Sequence, residues 1–327
     1  MKVYAGYNNE FNKIKKSASG GIAIALYEYC IDNGFLVVGA SYTEDMYGAD
    51  YILTNKHDEI KKFQGSKYFF VKKGDIYSKV INKISNGNKV LFIGLPCEVA
   101  AIKRIKKNIN GNNVEKGQLL TADLVCHGAT YPEIHKEYIK YLERKYKSKA
   151  ISVNTRKVKK HWEQPYLEVV FENGKLFSKQ LYDTEFGYFF SRLCRRGCFN
   201  CKFKGENSQA DLTLGDFWGA NENDASFNKY GTSIVMCHTS EGENLIKKCK
   251  SISLFSITLE EAVKRNQNIL HSKSKSERYE IINKNFKKYG VIKGARKSYS
   301  FKEKVRIVVK KCIPSELIYL IKWRNVK

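Results

Sequence analysis

The sequence predicts an α/β protein: a mixed, largely parallel sheet with flanking helices, followed by a cysteine-containing α+β subregion and a helical C-terminal tail. Two observations point there. Strand-like and helix-like runs alternate through the first 150 residues, which is how parallel strands with crossover helices are written in sequence. After about Ala150 the runs become strand pairs with short turns, and the chain ends in a lysine-rich segment. Accordingly 1–149 is read as an N-terminal cofactor-binding α/β part, 150–295 as the cysteine-containing part and 296–327 as a basic helical tail. With 327 residues, 43% of them hydrophobic, there is enough apolar surface for two domains or one large one.

Taken in order, Gly20 to Asp32 (GGIAIALYEYCID) reads as a buried helix opened by small residues, and Leu36 to Tyr42 and YILTN read as strands. Asp75 to Ser85 has helical periodicity, Lys89 to Leu95 (KVLFIGL) is an almost unbroken apolar strand, and Cys97 to Lys107 is helical again. LLTADLVC then gives a strand and PEIHKEYIKYLERKYK a helix, with Pro132 suited to its first turn. ISVNTR and LEVVFENGKLFSKQL read as antiparallel strands, the latter folded about Asn173-Gly174. DLTLGDFWG and GTSIVMCH supply two further strands. Sites in such folds lie at the C-terminal ends of parallel strands, which here means the turns Gly94-Leu95-Pro96-Cys97 and Cys126-His127-Gly128.

Composition restricts the function classes. The start MKVYAGYNNEFNKIKK has no apolar signal-peptide core and no apolar run reaches membrane-spanning length, so a cytosolic location is expected. Nine cysteines in a reducing compartment point to metal or redox chemistry rather than disulfides. A net charge of +25 attracts acidic partners: an acidic electron carrier, anionic lipid or nucleic acid. Nucleic acid ranks last, because no recognisable binding module accompanies the charge. Phe301 to Lys327 mixes apolar and basic residues with only Glu303 and Glu316 as acids, a composition suited to peripheral membrane contact or to docking on its own domain.

Chemistry concentrates in a few motifs. Cys198-Phe-Asn-Cys201 is the one C-x-x-C pair in the chain; two thiolates on one turn can reach one metal or cluster, and soft sulfur ligands favour zinc or iron–sulfur. Either needs two more ligands, which Cys97 and Cys126 can supply from strand ends; Cys194 is a spare or substitute. Cys30, Cys237, Cys249 and Cys312 sit in apolar or helical contexts and read as structural. Ser17-Ala18-Ser19-Gly20-Gly21 feeds a helix, a geometry suited to a phosphate or to a simple N-cap. Gly215-Asp216-Phe217-Trp218-Gly219 permits close backbone approach beside an aromatic pair, and His127 can exchange a proton with a bound group.

In this order SASGG, GSKYFF, VLFIGLPCEVAAIK, DLVCHG, CFNCKFK and ADLTLGDFWG resemble the coenzyme F420 hydrogenase/dehydrogenase beta-subunit family over roughly residues 1–220. The resemblance implies FAD and one 4Fe-4S cluster, with electrons passed between a reduced donor and a deazaflavin or other organic acceptor. It places the cluster on Cys97, Cys126, Cys198 and Cys201. Flavin contacts fall on Ser17, Ser19, Gly20, Gly21, Gly65, Ser66, Lys67 and Tyr68, with Gly215 and Asp216 beside them, and His127 and Lys67 are the catalytic candidates. Leu95, Ala18 and the Cys194-Arg195-Arg196-Gly197 approach depart from the family pattern. The family's ferredoxin-like N-terminal segment does not precede the motifs, so a separate donor such as ferredoxin is expected. Relatives tied to surface-polysaccharide synthesis make a small-molecule or lipid-linked intermediate the alternative acceptor. Set against this oxidoreductase is a non-catalytic, metal-stabilised module that docks a partner enzyme or the membrane surface.

Overall fold

A computed structural model describes residues 1–109, 116–159 and 163–312. The chain begins with β1 (Lys2–Asn8), α1 (Phe11–Lys16), α2 (Ile22–Asp32), β2 (Phe35–Tyr42), β3 (Ala49–Thr54), α3 (His57–Ile60) and α4 (Ile76–Ser85). It continues with β4 (Lys89–Gly94), α5 (Pro96–Ile109), β5 (Gln118–Leu124), α6 (Pro132–Tyr146), β6 (Ala150–Lys157), β7 (Tyr166–Phe171), β8 (Leu176–Gln180) and α7 (Glu185–Phe190). After β9 (Leu212–Asp216), β10 (Ser233–Cys237), α8 (Ser240–Lys248), β11 (Ile252–Ile257) and α9 (Leu259–Val263) come the helices α10 (Tyr279–Ser298) and α11 (Phe301–Cys312).

One eight-stranded sheet runs β11-β1-β10-β9-β5-β4-β2-β3, and a separate sheet holds β6-β7-β8. The pairings β2–β4, β4–β5 and β5–β9 are parallel; β2–β3, β9–β10, β10–β1 and β1–β11 are antiparallel. The mixed α/β expectation therefore holds, with the parallel character confined to the centre. That centre is buried on both faces, which is why its strands are continuously apolar. Leu91 and Ile93 of β4 pack with Ile22 and Leu26 of α2 and with Leu245 and Ile246 of α8. Val90 and Phe92, pointing the other way, meet Val80 and Ile84 of α4 and Val99 and Ile102 of α5.

The boundary expected at 149/150 does not divide this sheet, since β9, β10 and β11 return to it after the β6–β8 excursion. The change of pattern at Ala150 marks an inserted antiparallel sheet, and one compact unit runs from Met1 to Lys275. The second unit, Ser276–Lys327, contains α10 and α11. A break at 295/296 falls inside α10, whose own kink is at Gly290. Residues 313–327 of the expected basic tail lie outside the described residues. Among the described residues no helix is long and apolar enough to cross a membrane.

Candidate functional site

The C-terminal ends of β4, β5 and β9 open into a cleft of about 310 Å3, closed on one side by the loop that leads into α2. That volume sits at the lower end of the roughly 300–1,000 Å3 of small-molecule sites. Ser17, Ser19, Gly21, Gly65, Ser66, Lys67, Tyr68, Cys126, His127, Gly215 and Asp216 all line it. Of the cofactor-contact residues expected from sequence, Gly20 alone stands behind the wall, where its N–H donates to Ser233 Oγ at 3.0 Å.

The α2 loop is held from several directions. Asn8 N–H donates to Gly20 O at 2.7 Å, Ser17 Oγ donates to Lys13 O at 2.7 Å and Ser19 Oγ to Thr232 O at 2.9 Å. With both hydroxyl protons committed, the loop offers a ligand its backbone and the positive end of α2 rather than serine donors. Gly21 caps α2 at φ 77, a left-handed conformation that glycine enters without strain.

Lys67 lines the cleft and also closes a turn. Its ammonium donates to the carbonyls of Lys62, Phe63, Gln64 and Gly65 at 2.9, 3.1, 3.1 and 3.3 Å, so its three protons are taken up in closing that turn. Burial pulls its pKa down to about 7, while the four carbonyl dipoles oppose the loss of its charge. Lys67 thus closes the turn while still lining the cleft in which a contact with an anionic cofactor is expected from sequence. Tyr68 does face the cleft and stacks on Phe190 with ring centroids 4.1 Å apart. His127 lies 4.5 Å from the same Phe190 ring. Burial, seconded by Lys273, lowers its pKa to about 4, so it is a neutral imidazole at neutral pH.

Arg156, which sequence reasoning passed over, comes from the end of β6 and is 7% exposed. Its Nη1 donates to Tyr68 Oη at 3.1 Å and to Asp216 Oδ2 at 2.7 Å. Trp218 Nε1 donates to the same carboxylate oxygen at 3.3 Å. Tyr182, Phe190 and Asn266 were likewise not singled out, although all three line the cleft. Their signal was weak: Phe190 sits in EFGYFF, whose helix α7 begins with Thr184 accepting from Gly187 N–H at 2.9 Å.

Behind the cleft lies the thiol group. Cys126 lines the cleft and also feels Cys198 and Cys97 electrostatically; Cys97, at the start of α5, feels Cys201 and Cys198. Gly128, at φ 109, lets the Cys194–Cys198 segment approach: a Cβ there would stand 2.9 Å from Cys194 Cβ and 3.0 Å from Cys198 Cβ. Burial pushes the Cys97 thiol up to about 11 and Cys126 to about 12. Cys198 is drawn down to about 6, chiefly by a hydrogen bond from Cys194, whose own thiol is raised by giving it. The Lys204 ammonium, donating to Asn268 O and His271 O at 2.9 Å each, faces Cys126, Cys201, Cys198 and Cys194.

Among the described residues no three His, Cys, Asp or Glu side chains converge tightly enough to hold one metal ion. A single zinc draws thiolates to about 2.3 Å, whereas a four-iron cube takes its thiolates at separate corners. Cys97, Cys126 and the Cys198–Cys201 turn come from three segments and feel one another electrostatically, while the Lys204 charge faces Cys126, Cys194, Cys198 and Cys201; thiols spread in this way suit the second arrangement better than the first. Cys30, Cys237 and Cys249 are buried in the sheet core, away from this group.

Two family models match the chain: the N-terminal part of the coenzyme F420 hydrogenase/dehydrogenase beta subunit over residues 3–74 and its C terminus over residues 87–265. A chain of the F420-reducing NiFe hydrogenase complex from Methanosarcina barkeri, in a xenon-derivatized structure, shares the fold with a TM-score of 0.53 at 16% identity, covering 91% of this chain and 90% of that one. No curated protein sequence matches. The C-terminal match alone takes in more than half of the 327 residues, and the chain belongs to the coenzyme F420 hydrogenase/dehydrogenase beta subunit family.

Proposed function

We propose that the protein is an iron–sulfur flavoprotein oxidoreductase that takes electrons from a separate donor protein such as ferredoxin and delivers them to an organic acceptor in the cleft. The observation that carries this reading is the position of Cys126, which belongs at once to the cleft wall and to the thiol group. Cys97, Cys126, Cys198 and Cys201 would hold a 4Fe-4S cluster, and the cleft would hold the ring system of FAD. Bound there, the two groups supply the conversion between single-electron and hydride transfer.

The chain's own residues have definite tasks in this scheme. Lys204 sets a positive charge against the thiolates, favouring their ionised form. Tyr68, Phe190 and Trp218 give flat apolar walls that keep water away from a bound ring. His127, neutral and with its Nδ1 unpartnered, can hold a proton at Nδ1 beside that ring without adding charge. The acceptor is either a deazaflavin such as F420 or a polysaccharide-pathway intermediate, small or lipid-linked. The exposed Phe301, Val305, Val308 and Val309, interspersed with Lys302, Lys304 and Arg306, support peripheral contact with the inner face of the membrane. The coenzyme F420 of the family description supports the deazaflavin.

The test is an anaerobic purification with iron, sulfide, zinc and flavin quantified on one sample. Iron with equimolar sulfide, and FAD bound or taken up, is the expected result. Zinc without flavin would instead establish the metal-stabilised binding module.

A further inference from the structure

Three residues on the cleft wall, His127, Arg156 and Asn266, hold four buried polar atoms with no hydrogen-bond partner: His127 Nδ1, Arg156 Nε and Nη2, and Asn266 Oδ1. Buried polar groups are almost always satisfied, so orphans gathered at one cavity mark where a bound molecule completes the bonding. Their chemistry describes that molecule. In Arg156 the Nη1 side is occupied by Tyr68 and Asp216. What remains is the Nε–Nη2 edge, the side of a guanidinium whose two parallel N–H groups match both oxygens of a carboxylate or phosphate. Asn266 is oriented by its amide N–H donating to Asp216 O at 3.5 Å, which leaves Oδ1 as an acceptor seeking an N–H or O–H. Asp216 thus fixes both side chains, one through its carboxylate and one through its carbonyl.

We infer that Arg156 is the residue that selects the cleft's ligand, its Nε–Nη2 edge binding an oxyanion of that molecule side-on while Asn266 Oδ1 accepts from a neighbouring N–H or O–H. The inference rests on the proposed redox reading only in taking the cleft as the ligand site. An oxyanion there has two sources, the phosphate of the flavin cofactor or an acidic group on the acceptor. Ser17 and Ser19, the residues from which sequence expected phosphate binding, have spent their hydroxyl protons on Lys13 and Thr232, which leaves the guanidinium as the open charged donor of the wall.

The experiment compares the full chain with Arg156→Lys, which keeps a charge opposite Asp216 but has no side-on pair of donors. FAD and riboflavin, the same ring with and without phosphate, are titrated by flavin fluorescence. A deazaflavin acceptor with and without its acidic tail is titrated by absorbance, and thermal stabilisation by inorganic phosphate is read without any flavin. If the oxyanion belongs to the cofactor, Arg156→Lys loses at least tenfold in FAD affinity, about 1.4 kcal/mol, and nothing for riboflavin. If it belongs to the acceptor, FAD is held within twofold and only the tailed deazaflavin loses tenfold. In both cases Asn266→Ala, which leaves the Arg156–Asp216 pair in place, also weakens the affected ligand. Unchanged affinity for every probe, with phosphate stabilising both proteins equally, overturns the inference. A wild-type chain that binds neither flavin nor deazaflavin overturns the proposed function instead. Phosphate stabilisation present in the wild type and lost in Arg156→Lys then upholds the inference about Arg156, and its absence sinks it.

Discussion

Lys67 and Lys204 show how differently two buried lysines can be used. Lys67 has its protons on four carbonyls of one turn, so Lys67→Met removes the donor and strands the acceptors, a loss of about 1–3 kcal/mol. A lowered melting temperature with flavin affinity unchanged within twofold is expected; unchanged melting with a tenfold affinity loss would return Lys67 to the ligand. Lys204 faces thiols instead, and Cys198→Ala or Cys201→Ala should each abolish iron and sulfide while Cys249→Ala, in the apolar core, retains both. Equal iron in all three would remove the ligand assignment. His135 is neutral for a structural reason: it stacks 4.3 Å from Phe69 and donates from Nε2 to Met46 O at 2.9 Å, and burial lowers its pKa to about 4. The unfolded chain, with histidine near 6.5, binds the proton first. Stability is therefore whole above about pH 6.5 and falls as pH drops toward 4, by up to about 1.4 kcal/mol per pH unit for each such histidine. Urea midpoints at pH 7 and pH 5 should differ less in His135→Gln than in the wild type.

At the level of elements, the Cys126-His127-Gly128 turn does two jobs that ordinarily compete. It ends β5 with a thiol and an imidazole at the cleft, and by lacking a side chain at Gly128 it admits the Cys194–Cys198 segment. Gly128→Ala meets a left-handed backbone, costing on the order of 1–3 kcal/mol, and a contact of 2.9 Å to Cys194 Cβ. The expected outcome is a folded protein with reduced iron and sulfide, measured against wild type purified alongside. Full metal content in that variant would mean that the segment does not need the close approach. The strands missed in the sequence are also instructive. β1, with Val3 and Ala5 inward, had the required alternation in KVYAGYN, yet it read only as a start without a signal peptide. β11 has the burial pattern of an edge strand, partly exposed along most of its length, and its period is correspondingly faint.

For the whole molecule, the charge of +25 bears on partner encounter. A donor that carries net negative charge is drawn in through a field that salt shortens, from a screening length of about 10 Å at 0.1 M to about 3 Å at 1 M. The apparent KM for an acidic ferredoxin-type donor should therefore rise severalfold between 0.05 and 0.5 M salt, while that for a small neutral dye donor stays flat. Parallel behaviour of the two donors would show that the basic surface takes no part in docking the donor.

By itself the sequence determined the parallel centre of the sheet, the helices on its faces, the hairpin about Asn173-Gly174 and the grouping of motifs into one family. These are local properties: the period of apolar residues, a turn dipeptide and short cysteine spacings survive in any window a few residues wide. The tertiary structure alone decided that β9, β10 and β11 return to the first sheet, that Lys67 closes a turn, and that Arg156 meets Asp216 from 60 positions away. It also decided which thiols face Lys204. Each of these depends on two distant segments reaching a few ångströms of one another, and no periodicity along the chain records which distant partner a side chain will find.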